Sequence, residues 1–216
     1  MYSKKIIEGF RGVATASVAD AVDKIAGRRG YMDEAIKPRI NENKIVGPAV
    51  TVKEVPTEEF LPPTLALDAI DESPEGSVIV IDIDGEANVA VWGGLMAAGG
   101  TANKLAGAVL DGGVRDITEI KRDYGFQVFA RSVSPGTTLG RFKTISSNEP
   151  VVCGGITVNP GDLIVADLDG VLVVPREHAE AILEMAKEID DREAEQAKLI
   201  METGSLREGL AKYGRI

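Results

Sequence analysis

Two short apolar runs joined by a helical pattern constrain this fold more than any other feature. In Val78-Ile79-Val80-Ile81-Asp82 every position before the aspartate is apolar and β-branched, the signature of a strand covered on both faces. Ala108-Val109-Leu110 repeats the pattern and ends in Asp111-Gly112-Gly113. Between them, Leu95 to Leu105 has apolar spacing compatible with a helix. Parallel neighbours need a crossover of about a dozen residues or more, usually helical, so strand, helix and strand in this order predict a parallel α/β core.

Flanking segments extend the alternation. Thr15 to about Ile25 is predicted as a helix opened by capping residues, with Gly27 and Gly30 stopping it. Lys44 to Val52 reads as a strand bent at Gly47-Pro48, and Thr64 to Asp71 as a short helix after Pro62-Pro63. Asn88 to Val91 and Gln127 to Ala130 are further strand candidates, and Ile156 to Val174 supplies several more between turn signals. Ala179 to Glu202 carries an uninterrupted helical pattern with apolar residues at Ile182, Ala186, Ile189 and Ala197. The whole chain, 1–216, is expected to form one domain, with 176–216 a C-terminal helical extension used in assembly.

Composition removes several classes of function. A net charge of -10 argues against a phosphate-backbone binder, so no nucleic-acid partner is expected. The apolar runs fall far short of the roughly 20 residues that span a bilayer, so no membrane partner is expected. The opening MYSKKIIEGF lacks the charged, apolar and small-residue pattern of a secretory signal, which favours the cytoplasm. Cys153 is the single cysteine, so an intrachain disulfide framework is excluded, and its apolar surroundings suit an inert packed thiol. His178, the single histidine, sits at a predicted helix start and reads as a surface residue.

Chemistry concentrates in two glycine-rich turns. Gly93-Gly94 precedes the helix from Leu95, and a helix start offers free N–H groups that glycines let a small anion approach. The next strand ends near Asp111-Gly112-Gly113-Val114-Arg115-Asp116, and in a parallel sheet such strand ends open onto one crevice. The Arg115 guanidinium matches a carboxylate, while Asp116 offers hard oxygen to Mg²⁺ or Mn²⁺. Together they can hold a 2-oxo acid whose ketone a divalent cation polarises. Taken alone, the same residues also fit a salt bridge capping a helix from Ile117, a loop requirement for glycine, and strand-terminating Asp82 and Asp84. The glycines match neither a dinucleotide fingerprint nor a P-loop. Lys53 or Lys104, if buried and deprotonated, would instead support a Schiff-base aldolase.

Four ordered motifs carry a family resemblance: Gly47-Pro48-Ala49-Val50-Thr51-Val52, Trp92-Gly93-Gly94-Leu95-Met96, the run Gly107 to Asp116, and Phe129-Ala130-Arg131. In these, and in its Thr15-to-Val22 opening and charged C-terminal helix, the chain resembles the RraA-like family over nearly its whole length. That family includes 4-hydroxy-4-methyl-2-oxoglutarate aldolases, class II metal-dependent enzymes that also decarboxylate oxaloacetate. The resemblance implies a swivelling β/β/α domain with helical N- and C-terminal extensions, a divalent cation as cofactor and a small 2-oxo acid as substrate. It implies that Arg115 binds the substrate carboxylate, that Asp116 ligates the metal, and that Gly93, Gly94, Leu95 and Met96 offer backbone amides to a pyruvyl group. It further implies a homotrimer or hexamer with sites between subunits, completed by a glutamate of the neighbour's C-terminal helix, for which Glu195 is the match.

One departure stands out. Active aldolases of the family carry an Asp or Glu with twenty residues between it and the Arg-Asp pair, where it helps position metal-bound water, and here that place falls on Gly94. On this pattern the metal-water site is incomplete, and Gly94→Asp is expected to raise activity. Asp84 or Glu86 is an alternative source of the acid. RraA itself, which inhibits an RNA-degrading endonuclease, lacks the full acidic motif, so a non-catalytic regulator binding an RNA-processing enzyme is the alternative function.

Overall fold

The computed structural model describes residues 2–214. Its strands are β1 (Lys37–Pro38), β2 (Ile45–Pro56), β3 (Val78–Asp82), β4 (Ala90–Trp92), β5 (Gly107–Val114), β6 (Val128–Val133) and β7 (Phe142–Ser147), followed by β8 (Val151–Cys153), β9 (Ile156–Val158), β10 (Leu163–Asp167) and β11 (Gly170–Val174). The main sheet runs β1-β6-β5-β3-β2-β10-β11, with β4 joining the end of β5 and β7 the end of β2. The centre, β6-β5-β3-β2, is parallel as the crossover argument requires. A bridge between Tyr31 and Leu172 draws the β11 edge towards the β1 edge, so the sheet curls almost closed.

Both faces of β3 are buried, and the alternation is visible in what each residue meets. Ile79 and Ile81 join one core with α3 (Thr64–Glu72) and α4 (Gly94–Ala102), whereas Val78 and Val80 join another beneath the β8–β9 hairpin. A third core places α1 (Lys4–Gly12), α2 (Thr15–Ala26) and the first half of α6 (Ala179–Thr203) on β10 and β11. At the C-terminal end of the hairpin face the apolar pattern gives way to charge. Asp82 pairs with Lys53 at 3.0 Å and accepts from the Val152 amide, while Asp111 pairs with Arg131 at 2.7 Å and accepts from the Gly154 amide. Two buried carboxylates thus find cations and pin the hairpin to the sheet, the condition under which buried charge is tolerated.

Several expectations change. Thr15 is not a cap: the cap position is Ala14, and the Thr15 hydroxyl donates to Asp167 at 2.5 Å. β2 continues to Pro56 rather than ending at Val52, because β7 adds a partner along its second half. β5 does not end at Asp111 but runs through both glycines to Val114. A Cβ on Gly112 would lie 2.5 Å from the Ile83 side chain, and one on Gly113 would lie 2.8 Å from the Val89 carbonyl, so these glycines permit close strand packing rather than a turn. The predicted C-terminal helix is present as α6, which turns at Gly204 into α7 (Leu206–Tyr213) folded back on it. Among the described residues no helix is long and apolar enough to cross a membrane.

Candidate active site

The end of β5 is stitched to β4 by the Arg115 amide, which donates to the Trp92 carbonyl at 3.0 Å. The chain then turns sharply at Asp116, whose φ of 58° lies in the left-handed region seldom occupied by non-glycine residues. Strain of this kind tends to sit where function over-determines the backbone. Here it aims the carboxylate at α4: Asp116 Oδ2 accepts from the Gly94 amide at 2.9 Å and lies 3.5 Å from Arg115 Nε. An Arg115–Asp116 pair does exist, but Asp116 makes no side-chain cap on the helix that follows; it reaches across to the other glycine turn.

The segment after Asp116 is a three-residue helical turn, α5 (Ile117–Glu119), continued as a π-helical turn over Ile120–Tyr124. Ile120 is fully buried and anchors it, and the Gly125 amide closes it on the Ile120 carbonyl at 2.7 Å. One helical turn beyond Asp116 stands Glu119, a residue absent from the sequence-derived site. A Cβ built on Gly94 would meet Glu119 Oε1 at 2.7 Å, and one built on Gly93 would meet Asp116 Oδ2 at 2.8 Å and Arg115 Nε at 3.1 Å. Gly93 and Gly94 are therefore small because the site's charged groups lie against them. The space that an acidic side chain at position 94 would enter is filled by the Glu119 carboxylate. The signal was present in the sequence as Asp116-x-x-Glu119, a carboxylate just before a helix start and a second one three residues on.

These groups border an open cavity of about 600 Å³ lined by Arg115, Asp116, Glu119, Arg122, Val133 and Ser134 among others. The first N–H groups of α4 have no intrahelical partners, and its Gly93 cap makes no side-chain bond. Gly93, Gly94, Leu95 and Met96 are not among the residues that line the cavity; the Leu95 side chain is 87% exposed and that of Met96 packs on the core. Glu195, on α6, lies 3.4 Å from the Tyr213 hydroxyl of α7 and does not line this cavity in its own chain. Among the described residues no cluster of three or more His, Cys, Asp or Glu side chains could hold a metal ion. Asp116 and Glu119 nevertheless suit Mg²⁺ or Mn²⁺, since such ions are commonly held by one or two carboxylates with water and substrate completing the shell.

The alternative chemistries find less support. Asp84 bonds Lys53 at 2.6 Å and Glu86 accepts from the Asn88 amide at 2.7 Å; neither lines the cavity. Burial opposes the Lys53 charge, but hydrogen bonds to Asp84 and Asp82 outweigh it and hold the ammonium above its ordinary value. An ammonium held charged by two carboxylates is a poor Schiff-base nucleophile. Lys104 is exposed and pairs with Glu75. Cys153 is fully buried, and burial pushes its thiol well up, as an inert packed sulfur requires.

The RraA-like family, described as Aldolase/RraA, matches residues 15–173. The chain belongs to that family. A "Putative 4-hydroxy-4-methyl-2-oxoglutarate aldolase" of Halalkalibacterium halodurans is 35% identical over 88% of this chain and 87% of its own. An uncharacterized protein from Pseudomonas syringae pv. tomato has a crystal structure that superposes with a TM-score of 0.88 at 28% identity, covering 98% of this chain and 95% of that one. Streptomyces coelicolor RraAS2, described as an unusual member of the RNase ES inhibitor RraA protein family, superposes with a TM-score of 0.83 at 26% identity, covering 92% and 99%. The sheet, hairpin and terminal helices are accordingly those of the RraA-like swivelling β/β/α domain.

Proposed function

We propose that this RraA-like protein is a divalent-metal-dependent lyase that cleaves a carbon–carbon bond of a 2-oxo acid, releasing pyruvate by aldol cleavage, by decarboxylation of oxaloacetate, or by both. The observation that carries the reading is the meeting of Asp116, Glu119 and Arg115 at Gly93-Gly94. Asp116 and Glu119 would hold Mg²⁺ or Mn²⁺, and the bound ion supplies Lewis acidity at the ketone oxygen. Arg115 offers a planar pair of donors to the substrate's C1 carboxylate and fixes its orientation. The start of α4 holds Asp116 through the Gly94 amide and turns the positive end of its helix dipole towards that carboxylate. Glu119 supplies, from one helical turn beyond Asp116, the carboxylate that active relatives carry at position 94. Gly94 then belongs to a complete site rather than a defective one.

Sites between subunits of a trimer or hexamer, with Glu195 arriving from a neighbour's α6, complete this reading. The test is pyruvate release from oxaloacetate and from 4-hydroxy-4-methyl-2-oxoglutarate, with Mg²⁺ or Mn²⁺ and again after EDTA. Turnover that needs the metal and disappears in Asp116→Ala is expected; absence of metal-dependent turnover on both substrates refutes it. A second reading is favoured by the likeness to Streptomyces coelicolor RraAS2. On it the protein is a non-catalytic regulator of an RNA-processing enzyme, and the same preparation inhibits a ribonuclease while leaving both 2-oxo acids intact.

A further inference from the structure

The cavity holds a second cation that the lyase reading leaves without a task. Arg122 lines it beside Arg115, Asp116 and Glu119. Its guanidinium is fixed by Asp123 through paired hydrogen bonds, Nε to Oδ1 at 2.7 Å and Nη2 to Oδ2 at 2.6 Å. Two of the five N–H groups are thus committed, the plane of the fork is set, and the Nη1 edge is directed away from Asp123. Arg122 is held above its ordinary value first by the hydrogen bond and charge of Asp123, then by the nearby charge of Glu119. The second arginine therefore stands within electrostatic reach of the metal-site carboxylates.

In chain order the cavity presents cation, carboxylate, carboxylate, cation: Arg115, Asp116, Glu119 and Arg122. Arg115 and Arg122 stand at the two ends of that order on one cavity wall, the arrangement that a ligand with two carboxylates calls for. Ionised Asp116 and Glu119 repel an anion from the middle of the cavity unless a divalent cation lies between them. A ligand with one charged end is answered by Arg115; a ligand charged at both ends engages Arg115 and Arg122 together.

We propose that Arg122, oriented by Asp123, is a specificity-determining residue that receives the second carboxylate of a dicarboxylic 2-oxo acid. The inference rests on the cavity being a 2-oxo acid site. The matched probes are 2-oxoglutarate and 2-oxopentanoate, which share chain length and differ by the distal carboxylate. Neither is a β-hydroxy or β-keto acid of the kind the lyase cleaves, so binding is read by calorimetry with Mg²⁺ without turnover. Wild type is expected to bind 2-oxoglutarate about tenfold more tightly than 2-oxopentanoate, the scale of one charge-assisted contact discounted for exposure. Arg122→Gln is expected to abolish that preference while leaving 2-oxopentanoate affinity within about twofold, which also shows that the variant is folded. Equal wild-type affinities, no binding of either acid, or a preference that survives Arg122→Gln overturns the proposal. The lyase reading stands or falls separately on pyruvate release.

Discussion

Glu54 enters this fold uncompensated, and the consequence can be measured. It lies on β2 opposite Thr144, at the register shift between Lys53 and Glu54, with no exposed surface. Neither carboxylate oxygen has a hydrogen-bond partner among the described residues. Burial pushes the carboxyl up from 4.5 to about 7. In the native state the group keeps its proton over a range where the unfolded chain has lost it, so folding is favoured below pH 4.5 and that advantage is lost as pH rises through about 7. The difference amounts to about 3 kcal/mol between the two limits. Glu54→Gln keeps the shape and removes the charge. It is expected to match wild type near pH 4.5 and to exceed it by about 3 kcal/mol at pH 8, or roughly 6 to 12 °C in Tm for a chain of this size. Urea unfolding followed by circular dichroism at pH 5, 6, 7 and 8, at one protein concentration, gives both curves. If they run parallel across that range, Glu54 has a charge partner or water in the folded state and the reasoning is wrong.

Gly94→Asp should lower metal-dependent turnover at least tenfold, because its Cβ would lie 2.7 Å from Glu119 Oε1 and its charge beside the same carboxylate. Adding Glu119→Gly to Gly94→Asp should recover part of the activity, since one carboxylate then again fills that space; a faster single variant would show that the space was empty. Gly113→Ala should lower stability by about 1–3 kcal/mol in urea titration, as the new methyl meets the Val89 carbonyl at 2.8 Å and Ser132 Oγ at 3.0 Å. Native Cys153 should resist 5,5′-dithiobis(2-nitrobenzoate) and react once the chain is unfolded in guanidinium; fast labelling of the native protein would contradict its burial.

What the sequence disclosed followed from periodicity. β3 and α6 stand where the patterns placed them, because a run of β-branched residues and a long charged helical pattern leave little choice. The stop of β5 was misplaced because Asp-Gly-Gly is ordinarily a turn signal, and only the packing of Ile83, Val89 and Ser132 against those glycines turns it into strand. β7 escaped notice for a related reason: its residues are mostly half-buried, so it lacks the alternation that marks a strand with one face in a core. Thr15 looked like a cap, and its hydroxyl was drawn instead to Asp167, 152 positions away.

The same limit governs the site. A motif counted backwards from Arg115 reaches Gly94 and reports a missing acid, since linear spacing cannot see that two backbone positions deliver side chains to one point. In space, position 94 sits at the start of α4 and Glu119 at the end of α5, and the Glu119 carboxylate lies where the first atom of any side chain at 94 would begin. The two positions therefore compete for one space, and a side chain at 94 would have to displace the Glu119 carboxylate. On the proposed lyase reading Glu119 is the second carboxylate beside Asp116, and Gly94, by carrying no side chain, leaves it that room.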